Sequence, residues 1–287
     1  MLRVDSHQHF WQLSRGDYQW LSPAMGILYR DYLPVNIEHH LRESHVGYTV
    51  LVQAAASLEE TEFMLTLAEN NEFITGVVGW VDLNSPAVIQ HMKQFSRSKY
   101  FKGIRPMLQD IADPNWILDD RFTPVFEYLI EHDMCFDALV NSTHLDAILL
   151  LLKRFPDLNL VIDHAAKPQI SHDFTRQLLC SDWYNKMSDI ANETNALCEI
   201  SGLVTEARIS NKQPIHFSQL KPYFETLYAL FGAERLMWGS DWPVVTLAAE
   251  FSEWVQLSDQ FINTLTEVNK CQIWSKNANN FYKLGIK

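Results

Sequence analysis

Eight short apolar runs, separated by segments of mostly helical spacing, constrain this chain more than any other feature. The runs are LRVD (2–5), YTVLVQA (48–54), ITGVVGWV (74–81), FKGIRP (101–106), CFDALV (135–140), LNLVID (158–163), ALCEIS (196–201) and RLMWGS (235–240). Several are almost wholly apolar, as parallel strands covered on both faces should be. Helical patterns lie between them: VNIEHHLRES after Pro34, LEETEFMLTLAENN after Ser57, PAVIQHMKQF after Ser85, RFTPVFEYLIEHD after Asp120, THLDAILLLLKRF before Pro156, and FSQLKPYFETLYALFG ending near Gly232. Two more, AAEFSEWVQLSDQFINTL and NKCQIWSKNANNFYKL, follow the last run. Ser57 and Glu60 have the spacing of a capping box. This alternation over 287 residues predicts a (β/α)8 TIM barrel, one domain spanning 1–287. The alternative is a doubly wound open sheet, but neither GxGxxG nor a P-loop is present. Segment 10–33, rich in Trp, Tyr and Leu, reads as an extended first loop over the barrel mouth.

Charge narrows the partners. The net charge of −12 argues against nucleic acid or an anionic membrane surface. No run approaches the roughly 20 apolar residues of a membrane span, and the opening MLRVDSHQHF carries no apolar leader. The cysteines, Cys135, Cys180, Cys198 and Cys271, form no CxxC and read as reduced thiols. The expectation is a cytoplasmic protein acting on a small molecule, with no feature that specifies an oligomer.

A barrel collects its chemistry at the C-terminal ends of its strands. The polar residues there are His7 and His9, Gln53, Trp80 and Asp82, Arg105, Asn141, Asp163, His164 and Lys167, Ser201, and Ser240, Asp241 and Trp242. His7 and His9 share a face if the strand runs through them. Together with His164 and Asp241 they could hold one divalent metal, zinc by donor type, with room for water. Histidine–carboxylate pairs occur in metal-free sites too, and HxH alone is a weak signal. The other eight histidines, His39, His40, His45, His91, His132, His144, His172 and His216, read as surface or capping residues. Ser240 lacks a GxSxG elbow and no cysteine ends a strand beside a histidine, so no covalent nucleophile is indicated.

The segments DSHQHFW, VQAAAS, GVVGWVDL, GIRPML, VIDHAAKP, SGLVTEA and WGSDWPV together resemble the amidohydrolase superfamily. More narrowly they resemble its amidohydrolase-2 branch of sugar-lactonase-like hydrolases, which includes L-fuconolactone and L-rhamnonolactone hydrolases. The resemblance runs from about Val4 to Tyr282. It implies that His7 and His9 are the strand-one metal pair, His164 the strand-six histidine, and Asp241 the aspartate that handles the proton of the hydrolytic water. Lys167 matches the lysine of the branch's DH–KP segment. Strand four ends in Arg105 and strand five has no histidine, against a two-metal centre. The resemblance therefore leaves one zinc or a metal-free site. The branch often reads CKLSGL where this chain has CEISGL, so Glu199 stands where a lysine is common. If that position faces the mouth, an anion replaces a cation there.

The reaction expected is hydrolysis of a sugar-acid lactone to the free acid. Asp241 is the general base, and His164 is the second catalytic group. Gln53, Trp80, Arg105, Lys167 and Trp242 are candidates for substrate contact. Arg105 could clamp a carboxylate or form an interior ion pair. Lys167 could serve the site or sit in an exposed loop, and Gln53 could bind a sugar hydroxyl or satisfy backbone. Trp11, Trp80 and Trp242 could stack on a sugar ring or simply pack. An amide hydrolase or an aromatic-acid decarboxylase on the same scaffold is the alternative.

Overall fold

The computed structural model describes residues 2–170, 178–210 and 215–286. Eight strands form one parallel sheet in sequential order: β1 (Arg3–Gln8), β2 (Val46–Val52), β3 (Ile74–Gly79), β4 (Phe101–Ile104), β5 (Cys135–Ala138), β6 (Asn159–Ile162), β7 (Leu197–Ile200) and β8 (Leu236–Trp238). All eight runs read from the sequence are strands, and the chain is a (β/α)8 barrel. The principal helices are α1 (Pro34–Glu43), α2 (Leu58–Asn70), α3 (Val88–Phe95), α4 (Thr123–Glu131), α5 (Leu145–Arg154), α6 (Asp182–Glu193), α7 (Leu203–Ser210), α8 (Phe217–Phe231) and α9 (Phe251–Ile262). The patterns from the sequence do not include α6 or α7. Helix α6 turns a stripe of Trp183, Met187, Ile190 and Ala191 to the core, spaced for a helix but set among polar residues.

Two apolar layers follow from strand alternation. The outer layer lies between strands and helices. The inner one fills the lumen floor with Val4, Val50, Val52, Val78, Cys135, Val161 and Met237, closed from below by Ala278 and Tyr282. Cys135 and Cys198 are buried thiols without a disulfide.

The ring closes at the first and last strands. Asp241 N–H donates to His7 O at 2.8 Å, and His9 N–H donates to Trp242 O at 2.7 Å. Gly239 permits this approach, because a Cβ there would lie 2.8 Å from His7 Cβ. The seam of the barrel is thus made by the backbones of the predicted site residues.

Segment 10–33 does cover the mouth. Trp11 and Tyr32 exchange two backbone bonds of 2.9 Å at its base, and Trp20 Nε1 donates to Ala54 O at 2.7 Å. The capping box is half formed. Ser57 Oγ accepts from Glu60 N–H, but the Glu60 carboxylate turns to the loops, accepting from Tyr18 OH at 2.6 Å and Ala54 N–H at 3.1 Å. Among the other histidines, His144 is buried at the start of α5, hydrogen-bonded to Asn141, and His40 stacks on Phe251. His172 lies outside the described residues. Among the described residues, no helix is long and apolar enough to cross a membrane.

Candidate active site

The fixed donors around the histidine rings assign their tautomers. His9 Nδ1 lies 2.7 Å from Val52 O, a pure acceptor, so Nδ1 carries the hydrogen. His7 Nε2 lies 3.1 Å from an Arg105 N–H, a pure donor, so the His7 hydrogen sits on Nδ1, 2.9 Å from Glu199 Oε2. Ser201 Oγ donates to the same Glu199 oxygen at 2.9 Å and so accepts from His164 Nδ1 at 2.9 Å. All three rings therefore turn a bare Nε2 away from their anchors. Burial drives all three toward the neutral form, lowering His7 and His164 well below the ordinary histidine value and His9 below it.

Asp241 faces these nitrogens, its Oδ1 3.3 Å from His9 Nε2. Burial alone would raise this carboxyl. His164, the His9 contact and Lys167 outweigh burial and hold it below the usual value.

Beneath the mouth lies a row of buried acids. Arg105 bridges to Asp163 Oδ2 at 3.2 Å, and Tyr282 OH donates to Asp137 Oδ2 at 2.9 Å. One guanidinium cannot balance Asp137, Asp163 and Glu199 together in a buried lumen. Burial pushes Asp163 up to about 6 and raises Asp137 and Glu199 well above the carboxylate range. Asp5 is buried as well and is pushed up to about 7. Its Oδ1 accepts from Ser240 N–H at 2.7 Å and His7 N–H at 3.2 Å, tying β1 to β8.

His164 and Lys167 sit on an unusual backbone. Residues 164–167 run at φ of 50°, 50°, 54° and 51°, a left-handed turn closed by Lys167 N–H donating to His164 O at 2.9 Å. Non-glycine residues seldom adopt this region, and strain of this kind gathers at functional sites. The turn lets two residues three apart line one cavity.

That cavity, of about 210 Å³, is lined by His9, Arg105, His164, Lys167 and Asp241, with Trp20, Met107, Gln109 and Asp110 from the loops. Lys167 Nζ donates to Gln109 Oε1. Arg105 lines the floor, but its terminal nitrogens serve His7, Asp163 and the Gln53 carbonyl. The interior ion-pair reading of Arg105 therefore has its contacts in the structure.

Four residues expected as substrate contacts lie outside this cavity. Gln53 is wholly buried, and its Nε2 donates to Arg105 O at 2.8 Å, the backbone role weighed for it. Trp242 is buried and packs edge-on against Phe10 and Tyr32. Trp11 is likewise packed, against Tyr18, Trp20 and Tyr32. Trp80 lines an adjoining cavity of about 380 Å³ together with Trp20, Trp116, Asp17, Asp82 and Asp110. Trp20, Met107, Asp110 and Ala54 border both spaces. Glu199 does not face the mouth: it is fully buried under His7.

Two groups of described residues could hold a metal ion, with ligand atoms within 4.8 Å of one another. One is His7, His164 and Asp241, and the other is His7, Asp163 and Glu199. The first fits a divalent ion, since bare imidazole nitrogens and a carboxylate are zinc's usual donors. His9 belongs to neither group, although its Nε2 lies 3.3 Å from Asp241 Oδ1. A metal on His7 Nε2 would displace the Arg105 hydrogen bond.

A family model described as amidohydrolase matches residues 4–284. L-fucono-1,5-lactonase of Burkholderia ambifaria is 39% identical, over 98% of this chain and 96% of its own. L-fucono-1,5-lactonase of Burkholderia multivorans is 34% identical, over 99% and 96%. A crystal structure of a Burkholderia multivorans amidohydrolase with bound zinc superposes with a TM-score of 0.91 at 33% identity, covering 99% of both chains.

Proposed function

The chain belongs to the amidohydrolase family, and from that premise we propose that it hydrolyses a sugar-acid lactone to the free acid, with Asp241 as the base. The observation that carries this reading is the ionised Asp241 carboxylate in a small cavity beside His9, His164 and Lys167. Similarity to two L-fucono-1,5-lactonases over nearly the whole chain supports the substrate class.

In the proposed reaction Asp241 takes a proton from water as the oxygen attacks the lactone carbonyl. The carbonyl oxygen becomes anionic and is stabilised by Lys167, whose ammonium is held in place by Gln109. The ring C–O bond then breaks, and the departing alkoxide takes the proton back from Asp241. A hydroxy acid leaves, and its ionisation releases one proton to solvent. His9 and His164 shape the water position, since their bare nitrogens can accept a hydrogen from it. Arg105, spent on interior partners, holds His7. His7, His164 and Asp241 would hold a single divalent ion, zinc by donor type, which when bound supplies Lewis-acid polarisation. The buried thiols of Cys135 and Cys198 support a cytoplasmic setting.

A screen of sugar lactones with a pH indicator tests the reading. Acid release without CO2 is expected for at least one six-membered lactone. Failure on every lactone, or CO2 evolved from an aromatic acid, would overturn it.

A further inference from the structure

We propose that Glu199 is a positioning residue that sets the tautomers of His7 and His164 together through a single carboxylate oxygen. The inference rests on hydrogen-bond geometry. Oε2 of Glu199 lies 2.9 Å from His7 Nδ1 and 2.9 Å from Ser201 Oγ, and Ser201 Oγ lies 2.9 Å from His164 Nδ1. Oε1 has a different neighbour, Ser6 Oγ at 3.5 Å. A proton carried by the acid therefore sits best on Oε1, away from the two donors, and Oε2 accepts in either protonation state.

The direction of the chain follows from donor counting. Ser201 has one hydroxyl hydrogen. Spent on Oε2, it leaves the serine oxygen to accept the His164 Nδ1 hydrogen. His7 gives its Nδ1 hydrogen to the same Oε2. Both rings then present Nε2 as a lone pair, one toward Arg105 and one toward the Asp241 side. A hydrogen on either Nε2 would remove that acceptor and aim a donor into the space shared with Asp241.

Strand geometry makes the arrangement possible. Glu199 and Ser201 are two residues apart at the end of β7, so they share the inward face. Gly202, at φ 64°, lets the chain turn against His164, since a Cβ there would lie 3.0 Å from His164 Cβ. A lysine at 199 would break the pattern. It offers hydrogens only and could not receive the His7 Nδ1 hydrogen, while Arg105 still donates to Nε2.

The role is a buried outer partner that orients the groups touching substrate, a position whose loss typically costs about 10–100-fold in activity or metal affinity. The kinetic part of the test rests on the proposed lactone hydrolysis, whereas the spectroscopic part does not. Long-range 15N–1H NMR of protein labelled at histidine reads each tautomer directly, with His7 and His164 assigned by signal loss in His7→Asn and His164→Asn. Wild type should show hydrogen on Nδ1 and a bare Nε2 for both rings. Glu199→Gln keeps one acceptor oxygen and should keep both tautomers and most of the activity. Glu199→Leu leaves the His7 Nδ1 hydrogen buried without an acceptor, against the Arg105 N–H on Nε2, and frees the Ser201 hydroxyl, so it should disturb both rings at once, with kcat down about 10–100-fold and KM within about threefold. A wild-type spectrum with hydrogen on either Nε2 overturns the proposal, and this arm needs no variant of Glu199 to fold. Unchanged tautomers in folded Glu199→Leu overturn it as well. Normal tautomers with no lactone opened would overturn the substrate reading alone.

Discussion

On one side of the mouth, His7, His9, His164 and Asp241 are at most 5% exposed, and each ring nitrogen that carries hydrogen has a fixed acceptor. On the other side, Trp20 is 37% exposed, and the loops after β1 to β4 leave an open space of about 380 Å³ among three indoles and three aspartates. The first region, carried by β1, β6, β7 and β8, spends its polar atoms on one another. The second leaves surface open to a ligand. Under the proposed function the contrast separates two jobs. Bond breaking needs atoms held in place, whereas choice of substrate can be delegated to loops.

Substitutions on either side should fail in different ways. Asp241→Asn should be the deepest loss, with kcat down by about 10²–10⁴ and the melting temperature little changed, because the backbone bond to His7 remains. Stopped assays beside thermal melts check both halves. Lys167→Met should lower kcat by about 10² with a smaller change in KM, the signature of a lost oxyanion partner. Trp80→Ala and Trp116→Ala belong to the other side. Each should shift KM or lactone preference by a few-fold, for about 0.5–1.5 kcal/mol of ring contact, and leave kcat nearly untouched. A kcat loss at Trp80 as deep as that at Asp241 would erase the distinction between the two regions.

The smallest effect is expected at Glu60, which ties the loops to α2. Burial pushes Glu60 up to about 7 from its ordinary 4.5. In that window the folded state holds more protons than the unfolded one, so this contribution is present below about 4.5 and lost as pH rises through about 7. Wild type should therefore lose stability between pH 5 and pH 8, and Glu60→Gln should flatten that slope. Melting temperatures measured across the range decide it, and equal slopes for the two proteins would refute the assignment.

The sequence discloses these regions unequally. The strands of the barrel are legible because parallel strands covered on both faces must be apolar throughout. His7, His9, His164 and Asp241 are legible because the ends of strands one, six and eight converge on one mouth. Depth within the lumen is not legible. Gln53 and Trp242 also stand at strand ends, yet both are fully buried, since the end of a strand fixes a direction around the barrel and not a height along it. Glu199 shows the same limit, an acid in an apolar strand whose inward face is set by a one-residue alternation. Helix α6 is obscured by a narrow apolar stripe among Asp, Asn and Ser. Trp20, Met107 and Asp110 come from irregular loops, where no periodicity announces them.

The seam between β1 and the residues after β8 has a consequence for descent. A lineage can exchange the loops over β2 to β4 and acquire a new substrate while its barrel stays shut. Drift at residues 239–242 would instead pry the ring apart, because Gly239, Ser240, Asp241 and Trp242 fasten the last strand to the first. Selection for folding alone would thus preserve the path of this segment in a descendant that had abandoned catalysis. A WGSDWP-like stretch in a distant relative would then testify first to a closed barrel, and to the proposed hydrolysis only where the Asp241 carboxylate still meets its histidines.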